Sequence, residues 1–369
     1  MSRKLPICAV LLAGGRGTRF WPRSRMRTPK QILNIVGANT MLAETAARLG
    51  SLVAPRNLWV VTNTEQAVAV RRELKRVPSG QILAEPVGRN TAAAIGLAAI
   101  HLAQRHGDAL MAVLPSDAHI ADKAGYVKLV RAALGRAQTA GEMVVLGIPP
   151  TRPETGYGYI ECGDAVEPPR DGADAYTVQK FTEKPNGEAA KQYVESGNYF
   201  WNAGMFFWRA STFLDNLKRF LPATHGALME LSKAIGTKKY GAALKRIYPR
   251  LENISVDYAV MERATRDANG NRVSMITADV GWSDVGSWAA VYELLAKEPG
   301  ANVSTGDAFT IDATGNYFWV PKKFVAAISV HNLVVVETED ALLICTRERS
   351  QDVGKAVKWL EENKRKTLL

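Results

Sequence analysis

Cysteine is scarce: Cys8, Cys162 and Cys345 are the only three in 369 residues, and they stand far apart. That number and spacing exclude a disulfide framework and a CxxC metal site, and they fit a reducing compartment. Long apolar runs are missing as well. The stretches at 143–148 and 333–336 fall far short of the ~20 residues that cross a bilayer, so no membrane partner is expected. Pro6, Gly14 and Gly15 leave no room for the apolar core of a secretion signal, and a cytoplasmic setting is expected. There are five histidines, and no His or Cys constellation that would activate a nucleophile.

Acidic residues are outnumbered, leaving a net charge of +11. Such an excess fits nucleic acid, an anionic surface or small phosphorylated substrates. The basic residues are spread along the chain, with one concentration at 16–30 and a lesser one in the terminal "ENKRK", which reads as a solvated helix end. No nucleic-acid motif and no interleaving of aromatic with basic residues is present, so nucleic acid is not an expected partner.

The first part of the chain alternates apolar runs at 7–12, 58–61, 109–114 and 143–147 with helical patterns near 41–49, 65–76, 91–104 and 126–139. Alternation at this spacing predicts an α/β fold, Rossmann-like, with a mixed but mainly parallel sheet flanked by helices. Ligands on such sheets sit beyond the carboxyl ends of the strands. From Pro149 the pattern changes to strands at "GYGYIE", "AYTVQKFTEKP" and "WNAGMFFW", a helix at "GEAAKQYVES", and several helices between 210 and 263. Trp201, Phe206, Phe207 and Trp208 read as core. Residues 1–300 are therefore expected to form one unit with parts at about 1–150 and 151–300. Residues 301–369 are expected to form a small β-rich C-terminal domain that ends in a helix.

The stretch "LLAGGRGTRFWPRSRMRTPKQ", residues 11–31, places three glycines and five arginines directly after the first apolar run. It is not a dinucleotide fingerprint, because Phe20 stands where the third glycine belongs. It is not a Walker loop either, because Arg19 stands in place of the second glycine. Pro22 and Pro29 prevent an immediate helix. What remains is a phosphate loop of another kind. Its glycines let backbone amides approach an anion, and Arg16, Arg19 and Lys30 add charge. Arg23, Arg25 and Arg27 read as solvated neighbours.

These residues resemble the N-terminal signature of the sugar-phosphate nucleotidyltransferases, and "WP-SR…PKQ" resembles their mannose-1-phosphate guanylyltransferase branch. "EPVGRNTAAAI", "LPSDAHI", "GYGYIE", "FTEKP", "WNAGMFFW", "SVDYAVME" and "WSDVGSW" follow in the family's order, up to residue 288. "NLVVVETEDALLIC" also fits. The resemblance implies transfer of GMP from GTP to mannose 1-phosphate, yielding GDP-mannose and pyrophosphate with Mg²⁺. It makes 1–150 the nucleotide-binding part and 151–300 the sugar-binding part. A phosphate monoester is already largely anionic at neutral pH, so this chemistry needs positioning and charge neutralisation rather than a base.

The resemblance assigns Arg19, Lys30, Asp117, Lys184 and Asp284 to catalysis, with Asp117 and Asp284 holding the metal, as hard cations prefer carboxylates. It places Leu11, Ala13, Gly14, Gly15, Arg16, Gly17, Thr18, Glu85, Arg89, Asn90 and Thr91 on the nucleotide, and Gly156, Gly158, Glu183, Lys184 and Asn202 on the sugar phosphate. Plainer readings stand beside these. Asp117 and Asp284 suit turns or helix caps, Asn90 and Thr91 a cap, and Lys184 a solvent-facing turn. Asn202 suits backbone bonding, the two glycines a bulge, and His119 a packed position. Ala93 departs from the proline that the branch often carries. Longer relatives add an isomerase domain for which residues 301–369 are too few, so a single activity is expected. The hexapeptide repeats of a long β-helix tail are missing. Alternatives are another nucleotide or sugar, or a silent relative that only binds nucleotide sugar. A metal-dependent glycosyltransferase lacks its Asp-x-Asp pair here. The oligomeric state is open, a homodimer among the options.

Overall fold

The computed structural model describes residues 4–167, 173–267 and 270–369. β1 (Ile7–Leu12), β2 (Leu58–Asn63), β3 (Ile82–Glu85) and β4 (Leu110–Pro115) alternate with α1 (Met41–Arg48), α2 (Ala67–Glu73) and α3 (Asn90–His106). A short β5 (His119–Ile120) leads into α4 (Lys123–Ala140) and β6 (Met143–Ile148). Then come β7 (Gly158–Ala165), β8 (Ala175–Glu183), α5 (Gly187–Ser196) and the long β9 (Tyr199–Arg209). Helices α6 (Ala210–Phe220), α7 (Pro222–Ser232) and α8 (Tyr240–Ile247) precede a π-helical turn, Asp257–Met261, which runs into α9 (Glu262–Ala264). β10 (Val273–Thr277), β11 (Trp282–Ser283) and α10 (Trp288–Leu295) complete this part.

Nine strands form one sheet in the order β3-β2-β1-β4-β9-β6-β10-β8-β7. β3, β2, β1 and β4 are parallel to one another. Beyond β4 in this sheet, among the described residues, only the β6–β10 pair is parallel, because β9 runs back between β4 and β6 and β7–β8 is antiparallel. The sheet is mixed as expected, and its parallel character is confined mainly to one half. β1 shows why the strands are apolar throughout: Cys8 and Val10 enter the core on one face, Ala9 and Leu11 the core on the other. Residues of α3, α6 and α7 fill the first core; residues of α1, α2 and α4 fill the second.

After residue 300 come β12 (Val303–Ser304), β13 (Ala308–Ile311), β14 (Tyr317–Trp319), β15 (Val325–Ile328), β16 (Leu333–Glu337), β17 (Leu342–Thr346) and α11 (Val353–Glu362). β12, β14 and β16 pair in parallel, as do β13 and β15, and β17 closes antiparallel on β16. The β-rich segment is thus a short parallel coil, although the sequence carries no hexapeptide repeat. Its inner residues Tyr317, Val334 and Val336 share a third core with Phe20, Leu33, Ile35, Val285 and Trp288. The far end of the chain therefore packs directly under the glycine loop.

Candidate active site

The glycine loop leaves the carboxyl end of β1, and buried polar side chains set its shape. Gln31 Nε2 donates to the carbonyls of Ala13 (2.9 Å) and Gly15 (3.1 Å). Thr62 Oγ1 also donates to Ala13 O at 2.9 Å, and Gln66 Nε2 to Gly15 O at 3.2 Å. Two of the loop's carbonyls are thereby tied down. The amides of Gly14, Gly15, Arg16 and Gly17 donate to no protein acceptor among the described residues, which leaves a row of donors for an anion. Leu11 and Ala13 contribute their side chains to the core. Thr18 opens the short 3-10 turn Thr18–Phe20.

Gly17 has φ 63°, and a Cβ there would lie 2.4 Å from the Cβ of Lys30. Only glycine lets Lys30 come this close. Lys30 is buried, and its Nζ donates to Asp117 Oδ2 at 2.9 Å and to the Asp284 carbonyl at 2.7 Å. Asp117 lies two residues past β4, at the end of the sheet where ligands bind. Asp284 Oδ1 accepts from the Tyr157 hydroxyl at 2.6 Å. Neither carboxylate caps a helix: Asp122 caps α4, and Ser287 occupies the cap position of α10. Among the described residues, Asp117 Oδ1 and Asp284 Oδ2 carry no hydrogen bond.

A cleft of about 290 Å³ brings together Arg19, Lys30, Asp117, Gly156, Gly158, Glu183, Asn202 and Asp284, with Asp257 also on its wall. A Cβ on Gly158 would stand 2.5 Å from Glu183 Oε2 and 3.6 Å from Asn202 Nδ2, so a side chain here would displace the carboxylate. Lys184, at φ 49°, pairs with Glu183 Oε1 while its side chain stays 58% exposed. Burial works against the Lys184 ammonium, and the carboxylate beside it more than compensates, holding its pKa above the ordinary lysine value. Lys184 does not line the cleft itself. An adjoining cavity of about 500 Å³ shares Arg19, Tyr157 and Asp284 and extends to Arg347 and Gln351.

Glu85 ends β3 beside the loop: its Oε2 lies 3.2 Å from where a Cβ on Gly14 would stand, and its Oε1 accepts from the Tyr248 hydroxyl at 2.6 Å. Burial lifts this carboxyl to about 6, against the lowering effect of the Tyr248 bond. Arg89 donates to the Pro249 carbonyl. Asn90 Oδ1 accepts from the Thr91 amide at 2.8 Å, and Thr91 Oγ1 accepts from the Val256 amide at 2.8 Å. Thr91 thus ties the start of α3 to the segment before Asp257 instead of capping its own helix. These four residues line neither cavity.

The loop arginines divide differently from expectation. Arg16 Nη2 meets Glu361 Oε1 at 2.6 Å, and Arg19 Nη1 donates to Gln351 Oε1 at 2.7 Å. The Arg16 pair is exposed on both sides (45% and 38%) and therefore weak, leaving the guanidinium available. Arg23 and Arg25 are not solvated neighbours. Arg23 stacks 3.9 Å over Trp319 and bonds Asn34, and Arg25 is held by Asp340 at 2.7 Å. Both fasten the loop to its surroundings; Arg27 remains exposed. Sequence reasoning missed Tyr157, Gln31, Gln66, Tyr248 and Asp257. Tyr157 and Asp257 lay inside stretches already singled out, yet their partners are remote in sequence.

Comparison with known proteins agrees with this geometry. The model of the nucleotidyl transferase family matches residues 8–299. The chain belongs to that family. A second model, for the MannoseP isomerase/GMP-like beta-helix domain, matches this nucleotidyl transferase over residues 306–360, the parallel coil. The mannose-1-phosphate guanylyltransferase of Escherichia coli is 43% identical over 361 residues, spanning 96% of this chain and 74% of that protein. That of Salmonella muenchen is 40% identical over 373 residues, 99% and 75% of the two chains. A crystal structure described as mannose-1-phosphate geranyltransferase from Thermus thermophilus superposes with a TM-score of 0.85 at 34% identity, over 97% of this chain and 100% of that one.

Proposed function

We propose that this nucleotidyl transferase moves GMP from GTP to α-D-mannose 1-phosphate, releasing pyrophosphate and GDP-mannose. The relatives' activity supports this reading, and one observation carries it. A glycine loop with free amides opens onto a cleft where one lysine and two aspartates face Glu183 and Asn202. The bond formed joins a phosphate oxygen of the sugar to the α-phosphorus; the bond broken is that from the α-phosphorus to the oxygen bridging to the β-phosphate, whose electrons leave with pyrophosphate. No proton has to be removed from the attacking phosphate oxygen, which explains why a site without a general base suffices.

In this scheme the amides of Gly14 to Gly17, with Arg16 and Arg19, take the charge of the triphosphate. Lys30 sits where charge moves onto the leaving group. Lys184 holds the sugar phosphate, and Glu183, Asn202, Gly156 and Gly158 hold the sugar. Glu85, Arg89, Asn90 and Thr91 face the base. Asp117 and Asp284 each keep one carboxylate oxygen without a protein partner, and among the described residues no group of three or more His, Cys, Asp or Glu could enclose a metal. That donor set fits Mg²⁺, which commonly takes one or two carboxylates and completes its shell with phosphates and water. Bound there, it would neutralise phosphate charge. The cleft's charged lining suits phosphates rather than the geranyl chain in the description of the Thermus structure. The three unpaired cysteines fit a cytoplasmic setting.

The test is pyrophosphate release by the purified protein with Mg²⁺, screened over nucleoside triphosphates and sugar 1-phosphates. GTP with mannose 1-phosphate should give the highest kcat/KM. Equal turnover with ATP or UTP overturns the guanylyl assignment, and equal turnover with another sugar phosphate overturns the sugar.

A further inference from the structure

Asn202 and Asp257 reach the cleft from elements 55 residues apart. Asn202 lies in β9 next to a shift of register against β6, and its Oδ1 accepts from the Gly204 amide at 3.0 Å. Its Nδ2 donates to Asp257 Oδ1 at 3.0 Å. Those two partners fix which end of the amide is which, since a backbone N–H needs an acceptor and a carboxylate needs a donor. One Nδ2 hydrogen of Asn202 has no partner among the described residues. No other side chain among the described residues bonds the Asp257 carboxylate.

Asp257 is also held firmly. It opens the π-helical turn Asp257–Met261, a form that occurs mostly as single-turn insertions in helices and frequently at functional sites. The residues before it are anchored to α3: the Val256 amide donates to Thr91 Oγ1 at 2.8 Å, and the Ala92 amide donates to the Ile254 carbonyl at 3.3 Å. The same cleft holds Glu183, whose carboxylate crowds Gly158. A polar group in this position has a free acceptor next to a free donor.

We propose that Asp257 is a sugar-reading residue and forms, with Asn202, a donor–acceptor pair for two adjacent hydroxyls of the sugar 1-phosphate. The carboxylate accepts one hydroxyl hydrogen, and the amide donates to the neighbouring hydroxyl oxygen. Asp257 thereby contributes to discrimination among sugars, which a site built to bond a hydroxyl does far better than an apolar pocket. This inference rests on the sugar-phosphate reading above.

The experiment uses the full chain, GTP, Mg²⁺, mannose 1-phosphate and its singly deoxygenated analogues. In the wild-type protein, two analogues lacking neighbouring hydroxyls should be used poorly. Asp257→Asn, which keeps its size and its bond to Asn202, should raise KM for mannose 1-phosphate roughly 10–100-fold, the worth of a hydrogen bond to a charged group. KM for GTP should stay within about twofold, showing an intact nucleotide site. The loss should vanish with the one analogue that lacks the contacted hydroxyl. Asp257→Ser should give the same selective rise. The inference falls if every analogue serves as well as mannose 1-phosphate, if the variants keep a wild-type KM for the sugar, or if the penalty is equal for all analogues. If wild-type protein releases no pyrophosphate with any sugar 1-phosphate, it is the functional reading that fails.

Discussion

Gly17 and Lys30 fit against each other so closely that the backbone of one decides the reach of the other. Gly17→Ala would meet both a left-handed φ of 63° and a contact of 2.4 Å with Lys30. The lysine would have to leave the space between Asp117 and Asp284. We expect kcat for pyrophosphate release to fall about 100-fold, the scale set by an ångström of misplacement in a site, with secondary structure intact by circular dichroism. A variant with normal kcat would separate Lys30 from the reaction. Asp117→Asn and Asp284→Asn should each lower kcat roughly 100- to 1,000-fold, as for loss of a charge that acts on the reacting phosphates. Near-normal turnover at saturating Mg²⁺ in either variant removes that residue from the proposed metal site. A titration belongs at this scale too. Burial lifts Glu85 from an ordinary 4.5 to about 6. The folded protein then holds a proton between those values that the unfolded chain has lost, so the contribution of Glu85 to stability is fully present below pH ~4.5 and falls by about 2 kcal/mol as pH rises through 6. Asp257, lifted to about 6 by burial and by Glu183, contributes in the same sense. Denaturant unfolding of Glu85→Gln should show a shallower decline and higher stability at pH 7; an unchanged slope would mean the Glu85 carboxyl titrates normally. Among single residues, the position of Asp117 just past a strand was legible because an apolar run ends before it. The embedding of Lys30 was not, since its two partners are 87 and 254 positions away.

Elements were legible where burial is two-sided and long. The strands of the parallel half are continuous apolar runs, and α3 is apolar enough to be read without help. Strand direction beyond β4 was not legible, because an apolar run looks the same in both directions and β9 enters the sheet out of sequence order. The coil of β12 to β17 was legible only as β-rich. Its strands have two to five residues, and every parallel pair joins a strand to the one two along, a relation that no local pattern records. The joint between coil and sheet is Trp288, fully buried, stacked 5.7 Å from Tyr317 and edge-on to Phe20 at 5.0 Å. Trp288→Ala should destabilise by about 3–5 kcal/mol, the range for a large buried aromatic, and lower kcat as well, because Phe20 belongs to the glycine loop. Denaturant unfolding and pyrophosphate release measure the two. A stability loss with kcat preserved would show that the third core supports the fold without positioning the loop.

At the scale of the whole molecule, function was legible through the order of short motifs, while the division of labour between the ends was not. The boundary near 300 marks a change of architecture, yet the third core crosses it. The Trp21 indole donates to the Leu368 carbonyl at 2.9 Å, and the Trp288 indole to the Trp21 carbonyl at 3.3 Å. A chain cut to residues 4–300 should therefore lose activity and self-associate through uncovered Phe20, Leu33, Ile35 and Trp288. Sedimentation would show it, and a monomeric, active fragment would refute the shared core. The same joint imposes an order in time. A polypeptide leaves the ribosome N-terminus first, so the glycine loop is made well before the segment that seats it. While residues 317–353 are still in the exit tunnel, the nascent chain carries a nearly complete sheet and a phosphate loop with no floor beneath it. A nascent chain stalled before residue 340 should therefore not retain GTP.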